Sequence, residues 1–329
     1  MKGFSGLTTF LLVSITLSIS VQCLAQVTKL NADDLMDIVF DMKKAAATAD
    51  KLASDGSKYC HWGVAPLDAT DLDTAVSRFL LRHGSQVPDD ISASKMWHVS
   101  FVADDLINQL EMRLQECNLG MRLNRGIYDV AVAGKPVLSK LQDAKFKFAG
   151  QAYLQTIWQE SNHAKLLFHG KPDSADGGLG APAVDAKEIL SASLEIREAW
   201  ESVRKAVATA AITKDCLPFD PPDKLIEGVE LDKLIDRLSR VSHSESYIPA
   251  ADMWFVAITA ERPKIAVQNA LASCGYYALW KKKAKKVTDA ALDSDQRLKA
   301  ALSKFDALAL RQTEWEEQVF QDQAIIQEN

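Results

Sequence analysis

Lys95-Met96-Trp97-His98-Val99 returns, 157 residues further along the chain, as Asp252-Met253-Trp254-Phe255-Val256. The same offset carries Cys117 onto Cys274 without a gap. It also carries Lys147-Phe148, Gln155-Thr156 and Trp158 onto Lys304-Phe305, Gln312-Thr313 and Trp315. With small gaps the register extends upstream. Asp71-Leu72-Asp73 and Arg78 match Glu230-Leu231-Asp232 and Arg237, and Lys44-Ala45 with Ala47-Thr48-Ala49 matches Lys205-Ala206 with Ala208-Thr209-Ala210. Alanine, leucine and lysine coincide by chance in many helical sequences. Two cysteines, two Met-Trp pairs and two further tryptophans in one register do not. A repeat of this length reads as the duplication of a whole folding unit.

Each copy has helical periodicity. Leu35, Ile38, Val39 and Met42 share one face of a helix that Asn31, Asp33 and Asp34 begin with a cap and acids in the first turn. A second helix runs from about Thr70 to near Gly84, with Leu72, Val76, Phe79 and Leu80 on its apolar face. The third starts near Ser94 and carries Trp97, Phe101, Ala103, Leu106, Leu110, Leu114 and Cys117 at helical spacing. Beyond a break expected at Gly134-Lys135-Pro136, the residues Leu141, Ala144, Phe148, Ala152 and Gln155 form another stripe. Steps of three and four residues are a helix signature, and strand alternation is absent. The second copy repeats the plan from about Asp185 to Gln321, and Pro263 within its third helix marks a kink or a first-turn position. Between the copies, Gly170 to Pro182 is too rich in Gly, Pro and Asp to sustain a helix. The expectation is an all-α protein of two tandem homologous helical-bundle units of four or five helices each. Unit one spans 26–168, a linker 169–184, and unit two 185–329.

Residues 1–25 have the layout of a signal peptide. Lys2 supplies the positive start, Leu7 to Val21 the apolar stretch, and Cys23 and Ala25 small residues before a cleavage expected at Gln26. No later run is long and apolar enough for a membrane span, so the mature chain is expected to have none. Its compartment is then secreted or periplasmic. Cleavage removes Lys2 and Cys23, taking the formal net charge from −6 to −7 and leaving four cysteines: Cys60, Cys117, Cys216 and Cys274. An even set in an exported chain reads as disulfides. Of the three possible connectivities, Cys60–Cys117 and Cys216–Cys274 keep the same pair in both copies, with separations of 57 and 58 residues.

The residues give little sign of chemistry. A sequence pI near 5.6 argues against nucleic acid as a partner. There is no Cys-x-x-Cys, no Gly-x-Ser-x-Gly and no phosphate-cradling glycine loop after a strand, and no cofactor is expected. Glu160-x-x-His163 has the spacing of a carboxylate-bridged di-metal bundle, but the second copy carries Glu317 and Phe320 there, so no metal site is expected. Asp104 and Asp105 read as solvated acids, and the paired tryptophans as core. One feature breaks the symmetry of the copies: Trp280 is followed by Lys281, Lys282, Lys283, Lys285 and Lys286, where the first copy (Leu119–Leu123 and onward) is far less basic. These six residues are the candidate binding site. The function expected is that of an exported, non-enzymatic binding protein whose partner is another protein or an anionic envelope component. The alternative is an enzyme or small-ligand binder using a cleft between the units, lined by Trp97 and Trp254.

Overall fold

The computed structural model describes residues 32–56, 70–83, 91–120, 125–169, 184–218, 229–244, 248–261, 263–278 and 280–328. Among them lie nine helices and no strand: α1 (Ala32–Gly56), α2 (Thr70–His83), α3 (Ala93–Gly120), α4 (Arg125–His169), α5 (Ala186–Ile212), α6 (Val229–Ser244), α7 (Ala250–Glu261), α8 (Pro263–Ala278) and α9 (Lys282–Glu328). The protein is all-α. Residues 1–25, expected to be a signal peptide, residues 170–183 of the expected linker, and Cys60 lie outside the described residues, as does the side chain of Cys117.

Local chemistry sets the helix ends. Asp185 caps α5: its backbone is extended and its carboxylate accepts the Lys187 N–H at 2.8 Å, satisfying one of the four amides a helix start leaves without a partner. The buried face of α5 then runs through Ile189, Ala192, Ile196, Ala199, Val203, Ala206 and Ala210 in steps of three and four. Pro263 is the first residue of α8, where a missing N–H costs nothing, so the long third helix of the first half is two helices in the second.

The break expected at Gly134-Lys135-Pro136 does not occur, because α4 runs unbroken through Pro136. Two local features explain the difference. Pro136 and Val132, whose carbonyl loses its donor, are both exposed, so water can take the place of the missing amide. Gly134 faces inward, and a Cβ there would lie 2.1 Å from Leu114 Cδ2, so glycine allows α3 and α4 to approach.

In the first half α4 packs on α3 and α1, and in the second α9 packs on α5 and α8. The halves meet where α4 contacts α7 and α9, and where α9 contacts α3. Trp254, Phe148 and Phe305 are the largest fully buried side chains. Each contributes about 2–3 kcal/mol by leaving water.

Candidate functional site

Two regions concentrate polar residues: the seam between the halves and the end of the second half where α9 begins.

At the seam, the indoles of Trp97 and Trp254 stack with centroids 3.7 Å apart and planes 8° from parallel. Both are buried, at 3% and 1% exposure, and each occupies the other's face. They line no cleft. Each Nε1 donates to a threonine hydroxyl, Trp97 to Thr156 at 3.1 Å and Trp254 to Thr313 at 2.9 Å. Those hydroxyls donate in turn to Ala152 and Ala309 carbonyls. Gln155 donates to the Ile91 carbonyl, and Gln312 to that of Ile248.

Helix starts are capped across the seam. Glu160 of α4 accepts the Ala251 N–H of α7 at 2.8 Å. Glu317 of α9 accepts the Ser94 N–H of α3 at 3.2 Å and the hydroxyls of Ser92 and Ser94 at 2.8 and 2.6 Å. Within the second half, Glu316 of α9 accepts the Ala250 N–H of α7 at 2.8 Å. Burial raises the Glu160 carboxyl to about 7; the Ala251 amide and a hydrogen bond with Glu316 oppose the rise, and Asp252 adds to it. Burial also raises Asp252, against the pull of Arg237. Tyr153 is pushed up to about 12 by burial, then by Asp252 and Glu160.

Lys145 lies nearby with its ammonium held between Asp104 at 2.8 Å and Glu261 at 2.7 Å. Desolvation lowers its proton affinity, but the two carboxylates outweigh that loss and hold it above the ordinary lysine value. Asp104 is therefore half of a buried clamp, where the sequence suggested a solvated acid. Lys299 bridges Glu111 and Asp295 at 2.8 and 2.9 Å in the same manner. These groups cap helices or neutralise one another, which is architecture. Glu160 is committed to capping, and among the described residues no group of three or more His, Cys, Asp or Glu converges as a metal would need.

The other region is built on the Cys216–Cys274 disulfide, with an S–S distance of 2.07 Å. The bridge ties the turn after α5 to α8, and the Leu217 N–H donates to the Ser273 carbonyl at 2.9 Å beside it. After α8 the chain turns through Trp280, whose N–H and that of Lys281 both donate to the Tyr277 carbonyl. Then α9 starts. Lys281, Lys282, Lys283, Lys285 and Lys286 are all exposed, while Ala284 and Val287 face the core. The acids that follow on α9 are mostly engaged elsewhere: Asp293 pairs with Arg297 and Asp295 with Lys299. Asp289 pairs with Lys285 at 2.9 Å, and Asp215 stands 3.9 Å from Lys281. Lys282, Lys283 and Lys286 form no ion pair among the described residues. Like charges three and four residues apart repel, and cations at a helix start oppose its dipole, each by a few tenths of a kcal/mol or more. Beside the lysines, α5 and α9 enclose an open groove of about 340 Å³ lined by Ser202, Lys205, Thr209, Lys286, Asp293 and Ser294.

Sequence reasoning found the lysines and Trp280 but missed their surroundings. Ile212 at the end of α5 is 82% exposed, Leu217 47% and Trp280 52%. Ion pairs between Glu188 and Arg311 and between Glu195 and Lys304 fix α5 antiparallel to α9, which brings Ile212 to the level of the α9 start. The usable signal was the apolar pair Ile212 and Leu217 flanking a cysteine predicted to be bridged. Among the described residues no helix is long and apolar enough to cross a membrane. Comparison of the chain with protein-family models, with curated proteins and with solved structures found no match.

Proposed function

We propose that the chain is an exported, non-enzymatic binding protein that attaches to an anionic partner through Lys281, Lys282, Lys283, Lys285, Lys286 and Trp280. On this reading it is built from two copies of one disulfide-bearing helical unit, 26–168 and 185–329, joined by the linker 169–184 after removal of 1–25. The matched hydrogen bonds of Trp97 and Trp254, of Gln155 and Gln312, and the crossed caps of Glu160 and Glu317 support the duplication. The Cys216–Cys274 bridge suits an oxidising compartment.

The observation that carries the binding role is the exposure of five lysines where helix physics disfavours them, of which only Lys281 and Lys285 form ion pairs among the described residues. A charge arrangement that weakens the free protein is compensated when a polyanion covers it. The test compares the mature chain with its Lys282→Gln/Lys283→Gln/Lys286→Gln variant for binding to dextran sulfate and to anionic vesicles at about 0.05 and 0.5 M salt. The wild type should bind at least one of them, more weakly at high salt, and the variant should lose at least tenfold in affinity. Equal binding by the two proteins would overturn the reading.

A further inference from the structure

We infer that the basic end of the second half is a membrane-surface site, and that its partner is the face of a lipid bilayer carrying anionic headgroups. This rests on the proposed binding role of the lysine strip and specifies the partner. A soluble polyanion needs only the charges. Here the charges come with apolar groups that a polyanion has no use for.

Ile212, Leu217 and Trp280 belong to the few large apolar side chains exposed on the described surface, and all three lie at the end where α5 and α8 finish and α9 starts. They are held there together. The 213–218 turn is fastened to α8 by the Cys216–Cys274 bridge and by the Leu217–Ser273 backbone bond, and Asp215 approaches Lys281. Leu217 therefore sits on a turn cross-linked to α8, Ile212 immediately precedes that turn, and Trp280 and the lysines follow α8 at the same end. That is the composition of an interfacial site: apolar and indole groups enter the headgroup boundary while ammonium groups meet lipid phosphates. The turn adds Lys214, also exposed. Beside the lysine strip, the α5–α9 groove adds the ammonium groups of Lys205 and Lys286 to the positive charge of this end, with Asp293 of the same groove paired to Arg297. With no helix among the described residues able to span a bilayer, attachment at this end would be peripheral.

The experiment uses the mature full-length chain and sedimentation with vesicles of neutral phosphatidylcholine alone or with about one quarter phosphatidylglycerol, alongside dextran sulfate in solution. The probes are the wild type, the triple lysine-to-glutamine variant, and Ile212→Ser/Trp280→Ser. Each lysine near an anionic bilayer strengthens partitioning about fivefold, so the triple variant should lose about a hundredfold on anionic vesicles. The Ile212→Ser/Trp280→Ser variant should lose at least tenfold on anionic vesicles, retain that deficit in 0.5 M salt, and bind dextran sulfate as the wild type does. Neutral vesicles should bind weakly. If dextran sulfate binds in a lysine-dependent way but anionic vesicles do not, or if the apolar variant is unchanged on vesicles, the membrane inference is overturned while the anion-binding reading survives. If neither probe is bound, both fall. Circular dichroism and the thermal midpoint of each variant confirm that it is folded.

Discussion

Replacing Glu160 by glutamine should make the protein more stable near neutral pH while changing it much less in mild acid. Burial holds the Glu160 carboxyl at about 7, against about 4.5 in the unfolded chain. A carboxyl raised in this way favours folding in its protonated form. The favourable contribution is complete below about pH 4.5 and is lost as pH rises through 7. A displacement of this size corresponds to about 3 kcal/mol at one unit of pKa per 1.4 kcal/mol, and partial solvent access brings it to about 2–3 kcal/mol. Glutamine does not ionise. Its carbonyl can still accept the Ala251 N–H and its amide can donate to Glu316, so the cap persists without the penalty. The assay is thermal unfolding of both proteins from pH 5 to 8. At pH 5 the midpoints should differ by about a quarter of the full effect, and at pH 8 Glu160→Gln should unfold about 4–12 °C higher, at about 2–4 °C per kcal/mol for a large chain. Comparison at each pH cancels titrations common to both proteins. A variant destabilised equally at pH 5 and pH 8 would show that ionised Glu160 is a favourable cap and refute the reasoning.

The buried clamp on Lys145 should be intolerant of losing its centre: Lys145→Met leaves Asp104 and Glu261 facing one another and should cost about 3–5 kcal/mol in urea unfolding. A loss under about 1 kcal/mol would mean that the clamp is already solvated. Removing the bridge as Cys216→Ala/Cys274→Ala, which frees a loop with a sequence separation of 58, should lower stability by about 4 kcal/mol in the chain-entropy model, read from the denaturant midpoint. Peptide mapping without reductant should recover that bridge and a second one joining Cys60 to Cys117; a crossed pairing would refute the assignment made from equal spacing.

Much of the helical plan was legible because helix chemistry is local. The stripe through Leu141, Ala144, Phe148 and Ala152 is buried as its spacing requires, and Pro263 opens a helix as its missing N–H allows. The second half begins at Asp185 because a carboxylate there meets the α5 amides. What escaped reading depends on neighbours remote in sequence. Pro136 is a breaker by propensity, and only its exposure together with the Gly134–Leu114 approach lets α4 continue. Lys145 looks like any solvated lysine until Glu261, 116 residues away, is brought to it. The lysine strip stood out by composition alone. Its apolar company did not, because Ile212 and Leu217 are brought to the same end as Trp280 only by the disulfide turn and the antiparallel register of α5 and α9.

The crossed caps make the halves unequal in time. A chain is synthesised from its N-terminus at about 5–20 residues per second, so α7 emerges to find Glu160 already made. The start of α3 has no such fortune, because the carboxylate that satisfies Ser94 comes 223 residues later, roughly 10–45 seconds of elongation. Until nearly the whole chain has been made, the first half lacks both that acceptor and the indole face that covers Trp97. The native closure of the first half therefore depends on residues made after it, and it is complete only once α9 has been synthesised.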